Sequence, residues 1–252
     1  MKLAVAGKGG VGKTSITAWL ADHLARKGQS VWMVDADTAL SLGQACGLSR
    51  DELPVPLAKR EDLVAERIGR GILNLTPEVD DLPEKLAVTL PGVGGRKRLL
   101  VMGGLGEAGG GCACAANALL KSLLAHLILG PDAWVLVDLE AGVEHLGRGT
   151  VASVDGLLVV SEPSRRGLET AADIARMARD LGLSRQVLVV NRQPDGTRIP
   201  NIPGLPGEVA TLPFLPDLAR RQLDTGSVLD LEEEAQVDDF CAGLLDRLGR
   251  PL

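Results

Sequence analysis

The stretch GKGGVGKT, Gly7 to Thr14, constrains the chain more than any other. It follows a short apolar run, Leu3 to Ala6, and opens a helical pattern from Ser15 to Arg26. Strand, glycine loop and helix in that order let successive backbone N–H groups wrap a phosphate chain at a helix N-terminus. Two motifs overlap here. Gly7, Gly9 and Gly12 fit the dinucleotide pattern GxGxxG, with Asp35 near the offset of a ribose-binding acid. The same residues fit GxxxxGK[ST], with Lys13 and Thr14 in the lysine and hydroxyl places. A dinucleotide loop uses neither, whereas a triphosphate loop needs Lys13 for the β- and γ-phosphates and Thr14 for Mg²⁺. The run Gly7, Lys8, Gly9, Gly10, Val11, Gly12, Lys13, Thr14 and Ser15 therefore reads as an ATP/ADP site.

Beyond the loop, apolar strands alternate with helical patterns, which predicts parallel βαβ units. The fold class is α/β: a mostly parallel twisted sheet flanked by helices on both faces. A chain of 252 residues fits one P-loop domain spanning 1–252, with an irregular insertion at about 44–95 where Pro54 and Pro56 interrupt the pattern. Within it, Glu61 to Arg70 reads as helix, and Ile72 to Leu75 and Leu86 to Leu90 as short strands. The core must rely on Val, Leu and Ala, because hydrophobic content is 45% while aromatic residues are 2% and Tyr is absent.

Ser30 to Val34 is a strand ending in VDAD, so Asp35 and Asp37 emerge at a strand's carboxyl end, where α/β sheets hold their ligands. Capping of the following helix is the alternative for both acids. Ala133 to Asp138 is a buried strand ending in an acid suited to Mg²⁺. Between them, the segment after Leu99 to Met102 has six glycines from Gly103 to Gly111, then Cys112 and Cys114 before an apolar helix. Thiols one residue apart suit one metal better than a mutual disulfide. A tetrahedral Zn²⁺ site takes four ligands, so one chain supplies half; a planar sulfur set suits Ni²⁺. Cys46 and Cys241 read as core residues.

Net charge of −6 argues against a nucleic-acid surface. Arg96 to Arg98 and Arg165-Arg166 read as solvated basic clusters. No apolar run is long enough for a membrane span, which predicts a cytoplasmic protein without membrane or nucleic-acid partners.

Lys8 is the second lysine of the loop, and KGGVGKT resembles the deviant Walker A of the ATPase class that includes MinD, ParA and nitrogenase iron protein. The resemblance implies an ATP-bound homodimer in which Lys8 reaches the partner's phosphates. It places Asp37 at the attacking water, Asp35 near the Mg²⁺ shell and Asn191 at the adenine edge, with Arg192, Pro213 and Phe214 around the base. For Asn191 a turn role is the alternative, and Pro213 and Phe214 have packing as theirs. The combination of KGGVGKT, CxC and DLEAGVEHLGRG at 138–149 resembles the carbon monoxide dehydrogenase maturation ATPases, the CooC type. That resemblance implies catalytic Lys8, Lys13 and Asp37, and Mg²⁺ at Thr14, Asp35 and Asp138. It also implies Ni²⁺ or Zn²⁺ shared between the Cys112 and Cys114 of two subunits, in a nucleotide-dependent metallochaperone for nickel insertion into carbon monoxide dehydrogenase. His145 is a metal ligand, a proton carrier or a structural hydrogen-bonding group.

Three alternatives remain. A MinD- or ParA-like positioning ATPase would act on membrane or DNA. A maturation factor for a nickel acetyl-CoA synthase would share the chemistry with another client. An electron-transfer ATPase would hold an iron–sulfur cluster on two well-separated cysteines per chain.

Overall fold

A computed structural model describes residues 1–69, 74, 76–103, 113–126, 133–140 and 154–249, without the side chains of 93, 113–117, 120 and 121. Its strands are β1 (Lys2–Gly7), β2 (Ser30–Ala36), β3 (Val88–Thr89), β4 (Lys97–Val101), β5 (Ala133–Leu139), β6 (Gly156–Ser161), β7 (Gln186–Asn191) and β8 (Glu208–Leu212). They form an 8-stranded sheet in the order β3-β4-β2-β5-β1-β6-β7-β8. All pairings are parallel except the short β3–β4 edge.

The near-continuous apolar strands reflect burial on both faces, as parallel sheets require. Alternate residues of β1 go to opposite sides: Leu3 and Val5 join one core cluster, Ala4 and Ala6 the other. The first cluster takes Ile16, Leu20 and Leu24 from helix α1 (Lys13–Arg26). The second takes Leu119 and Leu123 from the helix Ala113–His126 and Ile174 from the helix Arg165–Asp180. The fold is therefore three layers, helix on sheet on helix.

The region 44–95 is divided between the faces: Ala45, Cys46 and Leu90 join the first cluster, and its middle packs on the second. Its helix Glu61–Ile68 buries Ile68 beside Leu57, Val79 and Leu82, in the cluster that holds Leu119 and Leu123. The backbone N–H of Ala58 donates to Met102 O at 2.9 Å, tying the region to the end of β4. The expected strand Leu86 to Leu90 is half wrong: Leu86 closes a helix, Leu82–Leu86, and β3 covers Val88–Thr89 alone. Asp81 and Pro83 are start signals for that helix. Of Ile72 to Leu75, only Asn74 is described.

The reading of Arg96 to Arg98 as solvated also needs correction. Lys97 is 1% exposed and its Nζ meets Asp22 Oδ1 of α1 at 2.6 Å. Arg98 lies over the Trp32 ring, 4.5 Å from its centroid, and forks onto Glu84.

Candidate nucleotide site

β1 lies between β5 and β6, with β2 on one side of that group and β7 on the other. The strand order reverses there, and open α/β sheets bind ligands at such a point, beyond the carboxyl ends. The loop after β1 is shaped by close approaches. Gly7 pairs with Val160, and a Cβ on it would lie 2.2 Å from Val160 O. Gly12 has φ +101°, and a Cβ there would lie 2.3 Å from Asn191 Nδ2. Only glycine fits either position.

Lys13 begins α1 and is 5% exposed. Its Nζ stands 3.5 Å from Lys8 O and 3.9 Å from Asp37 Oδ2, both longer than a strong charge-assisted bond. The ammonium thus faces the loop without being consumed by it. Thr14 Oγ1 donates to Asp138 Oδ2 at 2.6 Å and stands 3.4 Å from Ser41 Oγ.

Asp35 and Asp138 are register partners on β2 and β5, and both are buried. Burial pushes the Asp138 carboxyl up to about 7; the Thr14 hydrogen bond and Lys13 oppose this, and the charges on Asp35 and Asp37 reinforce it. Burial likewise raises Asp35 to about 6, against the hydrogen bonds from the Leu42 and Asp37 backbone. Asp138 Oδ1 is buried with no hydrogen-bond partner among the described residues. Crowded carboxylates, a hydroxyl and an unpartnered oxygen are a donor set that fits a hard cation such as Mg²⁺. Asp35 has a further duty: its Oδ1 accepts from Asp37 N at 3.2 Å and its Oδ2 from Leu42 N at 3.1 Å, so it shapes the loop after β2.

Asp37 points its Oδ1 at Ala39 N, 2.9 Å away, and lines the phosphate cleft with Lys13, Thr14 and Ser15. This cleft has a volume of about 580 Å³. Its far wall includes Gln222 and Gly226 from near the C-terminal end, for which the sequence carried no signal. A smaller cavity of about 170 Å³ adjoins it through Arg192 and Gln222, and Asn191, Pro213 and Phe214 line it. The four residues expected around the base are therefore brought together, with Phe214 57% exposed. Asn191 is buried, donates through Nδ2 to Val11 O at 2.8 Å, and accepts from Arg192 N through Oδ1 at 2.9 Å. It fastens the phosphate loop to the end of β7.

The Lys8 side chain is 55% exposed and its Nζ stands 3.9 Å from Glu162 Oε1. Cys112 lies outside the described residues, as do Glu144, His145 and Arg148. Cys114 is the second residue of the helix Ala113–His126. Cys46 and Cys241 are buried, and burial raises the Cys46 thiol to about 12.

A phosphate loop with a second lysine, on this sheet order, defines a P-loop ATPase of the deviant Walker A class. Residues 2–204 match the CbiA family, the CobQ/CobB/MinD/ParA nucleotide binding domain, and the chain belongs to it. It is 42% identical over 199 residues to the carbon monoxide dehydrogenase accessory protein CooC of Rhodospirillum rubrum, covering 76% of this chain and 74% of that protein. An uncharacterised ATP-binding protein of Methanocaldococcus jannaschii is also 42% identical, over 198 residues, covering 76% of this chain and 75% of that protein. These similarities agree with the CooC-type resemblance carried by the motifs.

Among solved structures, the septum site-determining protein MinD of Pyrococcus horikoshii, complexed with Mg-ADP, has a TM-score of 0.69 at 17% identity. The match covers 96% of this chain and 95% of that one. A chain of the MinC:MinD complex of Aquifex aeolicus has a TM-score of 0.69 at 21% identity, covering 97% and 96%. These last two establish the fold. Among the described residues no helix is long and apolar enough to cross a membrane.

Proposed function

We propose that the chain is an ATP-hydrolysing maturation factor for carbon monoxide dehydrogenase, working as a nucleotide-dependent homodimer that carries Ni²⁺ as cargo. The observation that carries this reading is the 42% identity with the CooC accessory protein. Lys13 and the loop amides bind the β- and γ-phosphates of ATP. Thr14 and Asp138 would hold Mg²⁺, which when bound neutralises phosphate charge. Asp37 orients the attacking water, and Lys8 of one subunit stabilises transition-state charge at the other subunit's cleft. Asn191, Arg192, Pro213 and Phe214 receive the base.

Cys112 and Cys114 from each subunit supply four thiolates at the two-fold axis, the number that a closed sulfur site uses. Closing the nucleotide interface and the thiolate site in one dimer couples them. ATP then strengthens metal binding by the factor by which metal strengthens ATP binding.

A membrane-positioning role fits less well. The final described helix, Glu234–Arg247, places Val237, Phe240, Cys241, Leu244 and Leu245 in the core. Its Asp238 is bound to Arg26 and His23 of α1. No apolar face of that helix is left for a bilayer.

The test is Ni²⁺ binding with and without ADP or ATP, with molecular mass by light scattering, on the parent and the Cys112→Ser/Cys114→Ser variant. One metal per two chains, lost in the variant and strengthened by nucleotide, is the expected result. Equal metal binding by the variant rejects the thiolate site.

A further inference from the structure

The loop joining β2 to the helix Leu42–Ala45 carries Asp37, and its geometry is imposed from outside. Asp35 holds both roots, through Asp37 N and Leu42 N. Between those roots, Leu40 takes φ +49°, a left-handed conformation that a branched residue adopts at a cost. A crown under such strain relaxes unless something fixes it.

Thr38 supplies the attachment. Its Oγ1 donates to Glu140 Oε1 at 2.8 Å, across 102 residues of sequence. Glu140 follows Asp138 by two positions and leaves the sheet beside this loop, since Ala36 and Leu139 are register partners on β2 and β5. Thr38 sits between Asp37 and Ala39, whose N–H holds Asp37 Oδ1 at 2.9 Å. Fixing Thr38 therefore fixes the direction of the Asp37 carboxylate. Both partners are partly buried, and Glu140 lines the phosphate cleft with Asp37 and Lys13. At 2.8 Å the bond has the length of a well-formed O–H···O contact.

We propose that Glu140 is a positioning residue for ATP hydrolysis, holding Asp37 over the cleft through the Thr38 hydroxyl. The proposal rests on the reading of Asp37 as the residue that orients water. It gives the acid after the Mg²⁺-binding aspartate a role in setting the geometry of attack, apart from holding phosphate or metal. Misplacement of such a group by about 1 Å costs on the order of 100-fold in rate.

The test compares Glu140→Ala, Glu140→Gln, Thr38→Val, Thr38→Ser and the Glu140→Ala/Thr38→Val pair by steady-state ATP hydrolysis, with ADP affinity measured by titration. The Ala and Val variants are expected to lose about 10- to 100-fold in kcat while KM for ATP and ADP affinity stay within about threefold. The double variant is expected to be no slower than the slower single one, since both remove the same contact. Gln and Ser keep an acceptor and a donor, so each is expected to recover most of the rate; this also separates the contact from a failure to fold.

Parent-like kcat in Glu140→Ala or Thr38→Val overturns the proposal. So does a double variant whose losses multiply. A slow Glu140→Gln beside a fast Thr38→Val overturns it in favour of direct carboxylate chemistry. Asp37→Ala is the separate control: if it hydrolyses ATP at the parent rate, the water-orienting role of Asp37 fails, whatever the Glu140 series shows.

Discussion

Asp138→Asn is expected to make the nucleotide-free protein more stable at pH 8 while abolishing its response to Mg²⁺. Asp138 is buried, its Oδ1 has no partner among the described residues, and its carboxyl is raised from 3.8 to about 7. The folded chain therefore keeps a proton that the unfolded chain releases above about pH 4. With the folded-state pKa raised, this acid lowers stability as pH climbs from about 4 to about 7, and the loss levels off above that. At 1.36 kcal/mol per unit, the ionised form costs roughly 4 kcal/mol at pH 8 but only about 1.7 kcal/mol at pH 5. Asparagine is nearly isosteric and its oxygen can still accept from Thr14. Its amide would take the place of the unpartnered oxygen, at a pH-independent cost of about 1–3 kcal/mol. The net gain is then about 1–3 kcal/mol at pH 8. The pH-independent cost cancels when two pH values are compared, so the variant's advantage should grow by roughly 2.5 kcal/mol between pH 5 and pH 8. Urea unfolding of both proteins at the two pH values measures this directly. An advantage of the same size at both would refute the argument that an uncompensated buried carboxylate sits at Asp138. In the parent, Mg²⁺ added to ADP should raise the midpoint further; in the variant it should not.

Gly12→Ala would put a methyl 2.3 Å from Asn191 Nδ2 at φ +101°, and is expected to weaken ADP binding at least tenfold and lower stability by about 1–3 kcal/mol. Parent-like ADP titration would show that the loop can move aside. Asp22→Asn leaves the Lys97 ammonium buried opposite a neutral amide and is expected to cost about 3–5 kcal/mol by urea unfolding. Lys97→Met should cost less, because Asp22 keeps Arg26 at 2.9 Å; the reverse order would contradict the pairing. Lys8→Ala is expected to bind ADP normally and hydrolyse ATP at least tenfold more slowly, as removal of a transition-state cation does. Unchanged turnover would remove the role across the dimer.

What the chain revealed in advance was what short-range chemistry encodes. The parallel strands read correctly because a parallel sheet buried on both faces needs unbroken apolar runs, and VLVV or LLVV has few other uses. The helix Arg165–Asp180 starts ahead of its first buried leucine, Leu168, because Ser164 caps it, its side chain accepting from Gly167 N at 3.0 Å. Lys97 was misjudged for a different reason. It lies on the same strand face as Leu99 and Val101, turned toward α1, and the Asp22 that pairs with it is 75 residues away. Nothing in the local run RKR distinguishes that lysine from the arginines on either side.

The same division runs through the site. Gly7 to Ser15 is legible because one backbone loop binds phosphate by itself, with amides that need no partner. Its fastenings are not legible, because each comes from a different strand. Asn191 holds Val11 O across 180 residues and Asp138 holds Thr14 across 124, while Glu140 holds the Asp37 loop across 102. The loop that meets the phosphates is thus tied to the ends of β7 and β5, and the loop that carries Asp37 is tied to the segment leaving β5. A shift of β5 relative to β7 would strain the loop at both Val11 and Thr14. Charge neutralisation at Asp138 acts at one end of that linkage, so nucleotide and Mg²⁺ can alter the path by which the chain leaves β5 at Glu140.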